Sequence, residues 1–319
     1  MEQTGHPRAW KVLLAFSIIY FVWGSTFLAI RVGVQQVPPF LFAALRFIVA
    51  GAALYGWMRV TGTPRPSTNE WRSISLLAIL IFVCDYGLLF WAEKRVPSGI
   101  AAVMMSTIPV FMTLAEIFFL RTQRLTGRLA FALLIGVAGV TVLLSRTVSF
   151  GDAPIDPLGA AALIVAAVSW SIASAFSKKW PLPSSKAISS GAQMMAGGVM
   201  LLLTSALLGE FRGFQIQAVP ARIWLALLYL IVAGSIIGFT AYVWLIHHES
   251  PTRVGTYAYV NPVVAVLIGY LLGGEALGAR TILGTALVLV SVVVITTTKK
   301  TAMIDNRASS ALAAEAEEI

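Results

Sequence analysis

Charge is scarce in this chain. Of 319 residues only 12% are Asp, Glu, Lys or Arg, while 58% are hydrophobic, and a soluble domain carries about 25% charged residues. That balance excludes an ordinary soluble domain and leaves an integral membrane protein. Cysteine is nearly absent too. The one cysteine, Cys84, rules out an intrachain disulfide, and its place inside an apolar run suits a packed small side chain. Histidine occurs three times. His247 and His248 are adjacent, point in different directions on a helix and have no second ligand cluster, so no metal is expected. No Walker, dinucleotide-binding or nucleophile-elbow motif occurs, and no polar stretch is long enough for an ATP-binding domain. No cofactor and no enzymatic chemistry are therefore expected. The net charge of +9 does not signal nucleic acid, because the basic residues fall in short links between apolar runs, where they set topology.

What the chain has in abundance is apolar length. Ten segments stand out, at about 12–33, 40–60, 73–92, 98–120, 128–145, 158–178, 186–208, 222–246, 251–272 and 280–298. Most can cross about 30 Å of hydrocarbon, and the short links make consecutive helices antiparallel neighbours. Residues 1–11 are polar, and the apolar run that follows lacks a clear small-residue cleavage site, so it is expected to be a retained first helix rather than a signal peptide. With the N-terminus cytoplasmic, 15 Lys and Arg fall on the cytoplasmic side and 7 on the other, with Arg46 inside a helix. The bias predicts both termini inside, and the location expected is a plasma membrane of the bacterial inner-membrane type. The alanine-rich tail at 299–319 is expected outside the bilayer.

The segments also repeat. Trp23 and Trp170 are 147 positions apart, as are Arg46 and Gln193, while Trp71/Trp224, Trp91/Trp244 and Pro109/Pro262 are each 153 apart. A slowly drifting offset is what a duplication with small insertions leaves. The expected layout is a first unit at 12–145, a linker at 146–157 and a second unit at 158–298. Five helices per unit is odd, so the two halves enter the membrane from opposite sides. The fold expected is an all-α integral membrane protein, ten transmembrane helices as two inverted five-helix repeats. Secondary transporters often have this construction, with the solute site near the midplane between halves.

The stretch from Ser250 to Leu277, SPTRVGTYAYVNPVVAVLIGYLLGGEAL, carries the clearest chemistry. Asn261–Pro262 would suggest a turn in a soluble protein. Here apolar sequence runs on past it, which predicts a membrane helix distorted at mid-depth with polar side chains at the distortion. Tyr257 and Asn261, four apart, share a face. This stretch resembles the ninth helix of EamA-type transporters in the drug/metabolite transporter superfamily. YFVWGSTFLAIRVGVQQVPPF (Tyr20 to Phe40) resembles that family's first helix, and VPSGIAAVMMSTIPVF (Val96 to Phe111) its fourth. The resemblance implies a central cavity walled by helices 1, 3, 4, 6, 8 and 9. It also implies movement of a small organic metabolite, amino acid-like or drug-like, by alternating access, with export as the default direction.

Seven of the tryptophans lie near predicted helix ends and read as interface anchors. Trp23 and Trp170 lie near mid-depth instead and are repeat partners. The expected solute-lining set is Trp23, Tyr86, Trp170, Tyr257, Tyr259 and Asn261, with aromatic walls for an amphipathic metabolite and polar groups to orient it. Arg46, Asp85 and Glu116 are ionisable residues within spans, where charge is costly and calls for a partner or a wet cavity. Arg46 and Asp85 lie at similar depth, about 9–10 Å inside one end of neighbouring helices. They are expected to meet or share a polar network, either as a solute-carboxylate site with a proton-sensitive neighbour or as a buried pair locking two helices. Glu116, near Arg121 and Arg124, reads as a snorkelling surface pair. Glu275 is expected to cap or brace the turn after the ninth helix, and its first-repeat counterpart is Gln123. Gly234/Gly238 and Gly269/Gly273, at four-residue spacing, are expected at close helix approaches. Pro109 and Pro262 are expected to kink helices 4 and 9 toward the cavity. The partners expected are a small solute and membrane lipid, with proton coupling and oligomeric state left open by the residues. Two rival readings remain. A lipid-modifying membrane enzyme would want paired acids, or a nucleophile with its base, at one interface. A membrane sensor or scaffold without transport would not need polar groups at matching depths in both repeats.

Overall fold

A computed structural model describes residues 9–118, 125–145, 155–177, 179–249, 254 and 256–297. The expectations for the two polar termini, most of the 146–157 linker, Gln123 and the side chains of Glu116 and His247 lie outside the described residues. All regular structure among the described residues is helical. The elements are α1 (Ala9–Val34), α2 (Pro39–Val60), α3 (Thr68–Glu93), α4 (98–118), α5 (Gly127–Leu144), α6 (Pro157–Ser177), α7 (Lys186–Leu207), α8 (221–248), α9 (Tyr257–Gly273) and α10 (Ala279–Thr297). Among the described residues eight helices are long and apolar enough to cross a membrane, and α5 and α9 are shorter apolar helices.

Local chemistry sets the helix starts. Ser67 and Glu70 form a capping box at α3, with the Glu70 N–H donating to Ser67 Oγ at 3.3 Å and the Ser67 N–H to Glu70 Oε2 at 2.6 Å. Asp156 Oδ1 accepts from the N–H groups of Leu158 and Gly159 at 2.8 and 3.1 Å and opens α6. Each cap satisfies backbone donors that a helix start leaves free. Three helices contain wider, π-helical winding, at Ile18–Val22 in α1, Ile79–Gly87 in α3 and Leu230–Ile237 in α8. Such stretches disturb the backbone ladder and recur at functional sites.

Helix α2 packs along α7, α5 along α10, and α4 against α9; α1 meets α8 and α9, as α6 meets α3 and α4. This set of pairings is unchanged when each helix is exchanged for the one five places along the chain. The tightest approach is between α2 and α7, where a Cβ on Gly51 would lie 2.4 Å from the Met195 backbone nitrogen and one on Gly198 2.6 Å from that of Ile48. Packing at this distance needs residues without side chains, as is common between helices in lipid. Gly234, Gly238, Gly269 and Gly273 serve otherwise. Each makes room for a side chain, that of Thr26, Trp23, Glu275 and Leu28 respectively.

The described span of α9 begins at Tyr257, and the helix runs unbroken through Pro262. Pro262 lies inside that helix, where its missing N–H forgoes one backbone hydrogen bond while the helix continues on both sides. Pro109 follows a real break, since α4 consists of Ser98–Met105 and Ile108–Phe118. Ser106 and Thr107 at the break turn their hydroxyls back to the carbonyls of Val103 and Met104, both at 2.6 Å.

Candidate functional site: a cavity in the bundle

The π-helical stretches of α3 and α8 and the α4 break border a cavity of about 410 Å³, within the range of small-molecule sites. Its aromatic wall has two parts. Trp23 packs against Tyr242 and Tyr257, with ring centroids 5.4 and 5.3 Å apart, and Nε1 of Trp23 donates to the carbonyl of Gly234 at 3.0 Å. Opposite, Tyr86 packs on Phe47 (4.7 Å), Phe82 (5.8 Å) and Trp170 (6.1 Å). The absent side chain at Gly238 is what admits the Trp23 indole, since a Cβ there would lie 2.4 Å from Nε1.

Polar groups are few and buried. Asn261 lies against the wide turn of α1. With its amide nitrogen facing that turn, it donates to the carbonyls of Ile19 and Tyr20 at 3.1 and 3.2 Å. A side-chain donor thereby satisfies backbone acceptors in a stretch of disturbed winding. Arg46 is 4% exposed, and its Nε donates to Ser235 Oγ at 3.1 Å, which in turn donates to the Leu230 carbonyl at 3.0 Å. The guanidinium carbon stands 4.8 Å from the Phe47 ring centre and 5.6 Å from that of Tyr86, within cation–π range. Asp85 is 1% exposed. Arg46 Nη1 and Asp85 Oδ1 are both buried without a hydrogen-bond partner among the described residues. The two side chains share the cavity, yet no ion pair or hydrogen bond joins them there. A helix lock built from this pair is therefore not what the geometry shows.

Trp23, Tyr86, Trp170, Tyr257, Asn261, Arg46, Asp85, Pro109 and Pro262 all lie on the cavity wall. Tyr259 does not; it is half-buried against the main apolar cluster. Two positions from Tyr257 on an α-helix is more than half a turn, which faces it elsewhere. Sequence reasoning passed over Ser106, Gln193, Ser235 and Tyr242, which also line the space. Gln193 had a signal, as the repeat partner of Arg46; Ser235 and Tyr242 had none, because nothing in the residues marks the π-helical winding of α8.

The profile of the EamA-like transporter family matches this chain twice, at residues 10–145 and 157–297. The chain belongs to the EamA-like transporter family. Among curated proteins, the uncharacterized inner membrane transporter YedA of Escherichia coli (strain K12) is 35% identical over 285 residues, covering 88% of this chain and 89% of YedA. The uncharacterized transporter YoaV of Bacillus subtilis (strain 168) is 25% identical, covering 87% of this chain and 94% of its own. Protein PecM of Dickeya dadantii (strain 3937) is 26% identical, covering 86% and 88%. A solved crystal structure superposes with a TM-score of 0.59 at 24% identity, covering 91% of this chain and 98% of that one, which supports the fold alone. As a member of this family the protein is an integral membrane transporter of the drug/metabolite transporter superfamily.

Proposed function

We propose that this protein is a secondary transporter that exports a small organic metabolite, amino acid-like or drug-like, by alternating access. The observation that carries the reading is the pairing of aromatic walls with two buried ionisable side chains, each with an atom, Arg46 Nη1 and Asp85 Oδ1, that has no hydrogen-bond partner among the described residues. Buried polar atoms are ordinarily satisfied, so a solute that supplies the missing partners fits the space. Arg46 would take an acidic group of the solute, Asp85 would bind a proton or a basic group, and Trp23, Tyr86, Trp170 and Tyr257 would hold the apolar body.

Two inverted five-helix repeats, 12–145 and 158–298 joined by the linker at 146–157, supply the moving parts. The double family match and the exchangeable helix pairings support this division. The protein would lie in the plasma membrane with both termini cytoplasmic, in keeping with the basic residues of its links and with a relative named as an inner membrane transporter. On that orientation the 34–39, 93–98 and 273–279 links face away from the cytoplasm.

Flux in proteoliposomes tests the reading. Purified protein is challenged with labelled amino acids and other metabolites, with and without a pH gradient, beside Trp23→Ala and Asn261→Ala. Movement of one solute that responds to the gradient and stops in both variants is the expected outcome. Movement indifferent to the gradient keeps the carrier and removes Asp85 as proton site. A solute that binds and never moves makes the protein a sensor.

A further inference from the structure

One turn past Leu89, on the cavity side of α3, stands Glu93. Its side chain is 0% exposed, and neither carboxyl oxygen meets a hydrogen-bond partner among the described residues. Its surroundings are nevertheless charged. From α1, Arg31 Nη1 donates to the backbone carbonyls of Glu93 and Val96 at 2.9 and 2.5 Å. Arg31 Nε sits 3.4 Å from Glu275 Oε1, in the link between α9 and α10. That carboxylate also accepts from Ser98 N–H and Oγ–H at 2.6 and 2.7 Å, and from Gly99 N–H at 3.0 Å, at the start of α4. From α2, Arg46 acts on Glu93 electrostatically. On the α6 side the nearby acid, Asp156, is already held by Arg95 at 3.4 Å. Arg31 thus stands between two carboxyl groups, and among the described residues only Glu275 holds it through its side chain.

We propose that these three residues form a proton-linked gate at the end of the cavity, in which Arg31 exchanges Glu275 for Glu93 as the gate opens. The proposal rests on the alternating-access reading and places proton coupling at the gate as well as in the cavity. A carboxylate buried without hydrogen bonds, beside a second carboxylate that already holds Arg31, is strongly disfavoured. In the shut state Glu93 is a neutral acid. When the α9–α10 link swings away, Glu275 leaves Arg31 and Ser98, water enters, and the Glu93 O–H bond breaks. The proton passes to that water, and the carboxylate pairs with Arg31. Opening therefore releases one proton, so alkaline pH favours the open gate and acid the shut one.

Pulsed electron-paramagnetic-resonance distances between spin labels at the exposed positions Gln35 and Ala276, on full-length protein carrying Cys84→Ala in lipid nanodiscs, read the gate directly. The expected result is a longer-distance population that grows as pH rises. Glu93→Gln, which mimics the neutral acid, should stay short at every pH, and Glu93→Asp should restore the response. Glu275→Gln should hold the longer distance at every pH. An unchanged pH response in Glu93→Gln, or none in the parent protein, overturns the gate. If Glu93→Gln does not yield folded protein, Glu275→Gln decides, and an unaltered pH response there overturns the proposal. Solute flux is scored on the same preparations. Flux without a distance response removes the gate and leaves the carrier; a distance response without any flux keeps the latch and removes the transport reading.

Discussion

The middle of this bundle and one of its ends treat polar groups in opposite ways. At the end formed by the 34–39, 93–98 and 273–279 links, carboxylates are used to close helix starts. Glu210 accepts from the N–H groups of Phe40 and Leu41 at 3.3 and 3.0 Å, and Glu275 from those of Ser98 and Gly99 at 2.6 and 3.0 Å. Both acids come from links late in the chain and cap helices early in it, so they tie the two parts together at that end. In the cavity, Arg46 and Asp85 keep buried atoms with no partner among the described residues. A protein selected only for stability would pair such groups or replace them with apolar ones. The contrast separates residues that hold the bundle from residues kept ready for something that comes and goes, and among the described residues Glu93 is the fully buried acid at the tied end with the character of the second kind.

That contrast can be broken by substitution. The largest effect is expected for Arg46→Gln. Loss of a charge-assisted bond to the solute is worth about 1.5–3 kcal/mol, or roughly 10- to 100-fold in affinity, and should appear as a raised KM in flux while the thermal midpoint in detergent stays level or rises. A fall in stability as large as the fall in flux would place Arg46 with the structural residues instead. Asp85→Asn should flatten the pH dependence of flux and leave the melting temperature no lower, because it removes a costly buried carboxyl without deleting a bond; loss of folded protein would reverse that assignment. Glu210→Ala belongs to the other region. It should lower stability by about 1 kcal/mol, the usual worth of a cap, with solute KM unchanged in the same liposomes. Tyr259→Phe should do least, within about 0.5 kcal/mol, and should leave flux intact; a marked transport defect would extend the site beyond the cavity wall.

An all-helical membrane protein was legible in the sequence, and among the described residues eight helices long enough to cross a membrane and two shorter apolar ones follow the apolar runs, because such runs separated by short polar links have few other solutions. Boundaries were not. Setting the third segment at 73–92 left Glu93 just outside it, whereas Thr68–Glu93 is helical and Glu93 is fully buried. The cavity residues were legible where a rare type sat at an unexpected depth, as with Trp23, Trp170, Arg46 and Asp85. They were illegible where winding decides the facing. Ser235 and Tyr242 reach the cavity through and beyond a π-helical stretch, and Tyr259 was included by residue type although its position on α9 turns it away. Partnership was the least legible property. Similar depth suggested that Arg46 and Asp85 would meet, but Arg46 found Ser235 on α8, and depth along two helices says nothing of which faces they turn to a third. Glu275 was expected to brace its own turn, and its bonds run mainly to α4 and α1.

The most direct test of the cavity as the solute's path is protection of a thiol by the transported solute. Single cysteines at Ser106, on the cavity wall, and at Tyr259, off it, are introduced into a Cys84→Ala background that still transports. Each is then labelled with a small maleimide with and without solute. Solute at saturating concentration should slow labelling at position 106 by roughly the factor expected from occupancy, about 10-fold at ten times its Kd, and leave position 259 unchanged. Equal rates at position 106 with and without solute, in protein that transports it, would contradict a solute path through this cavity.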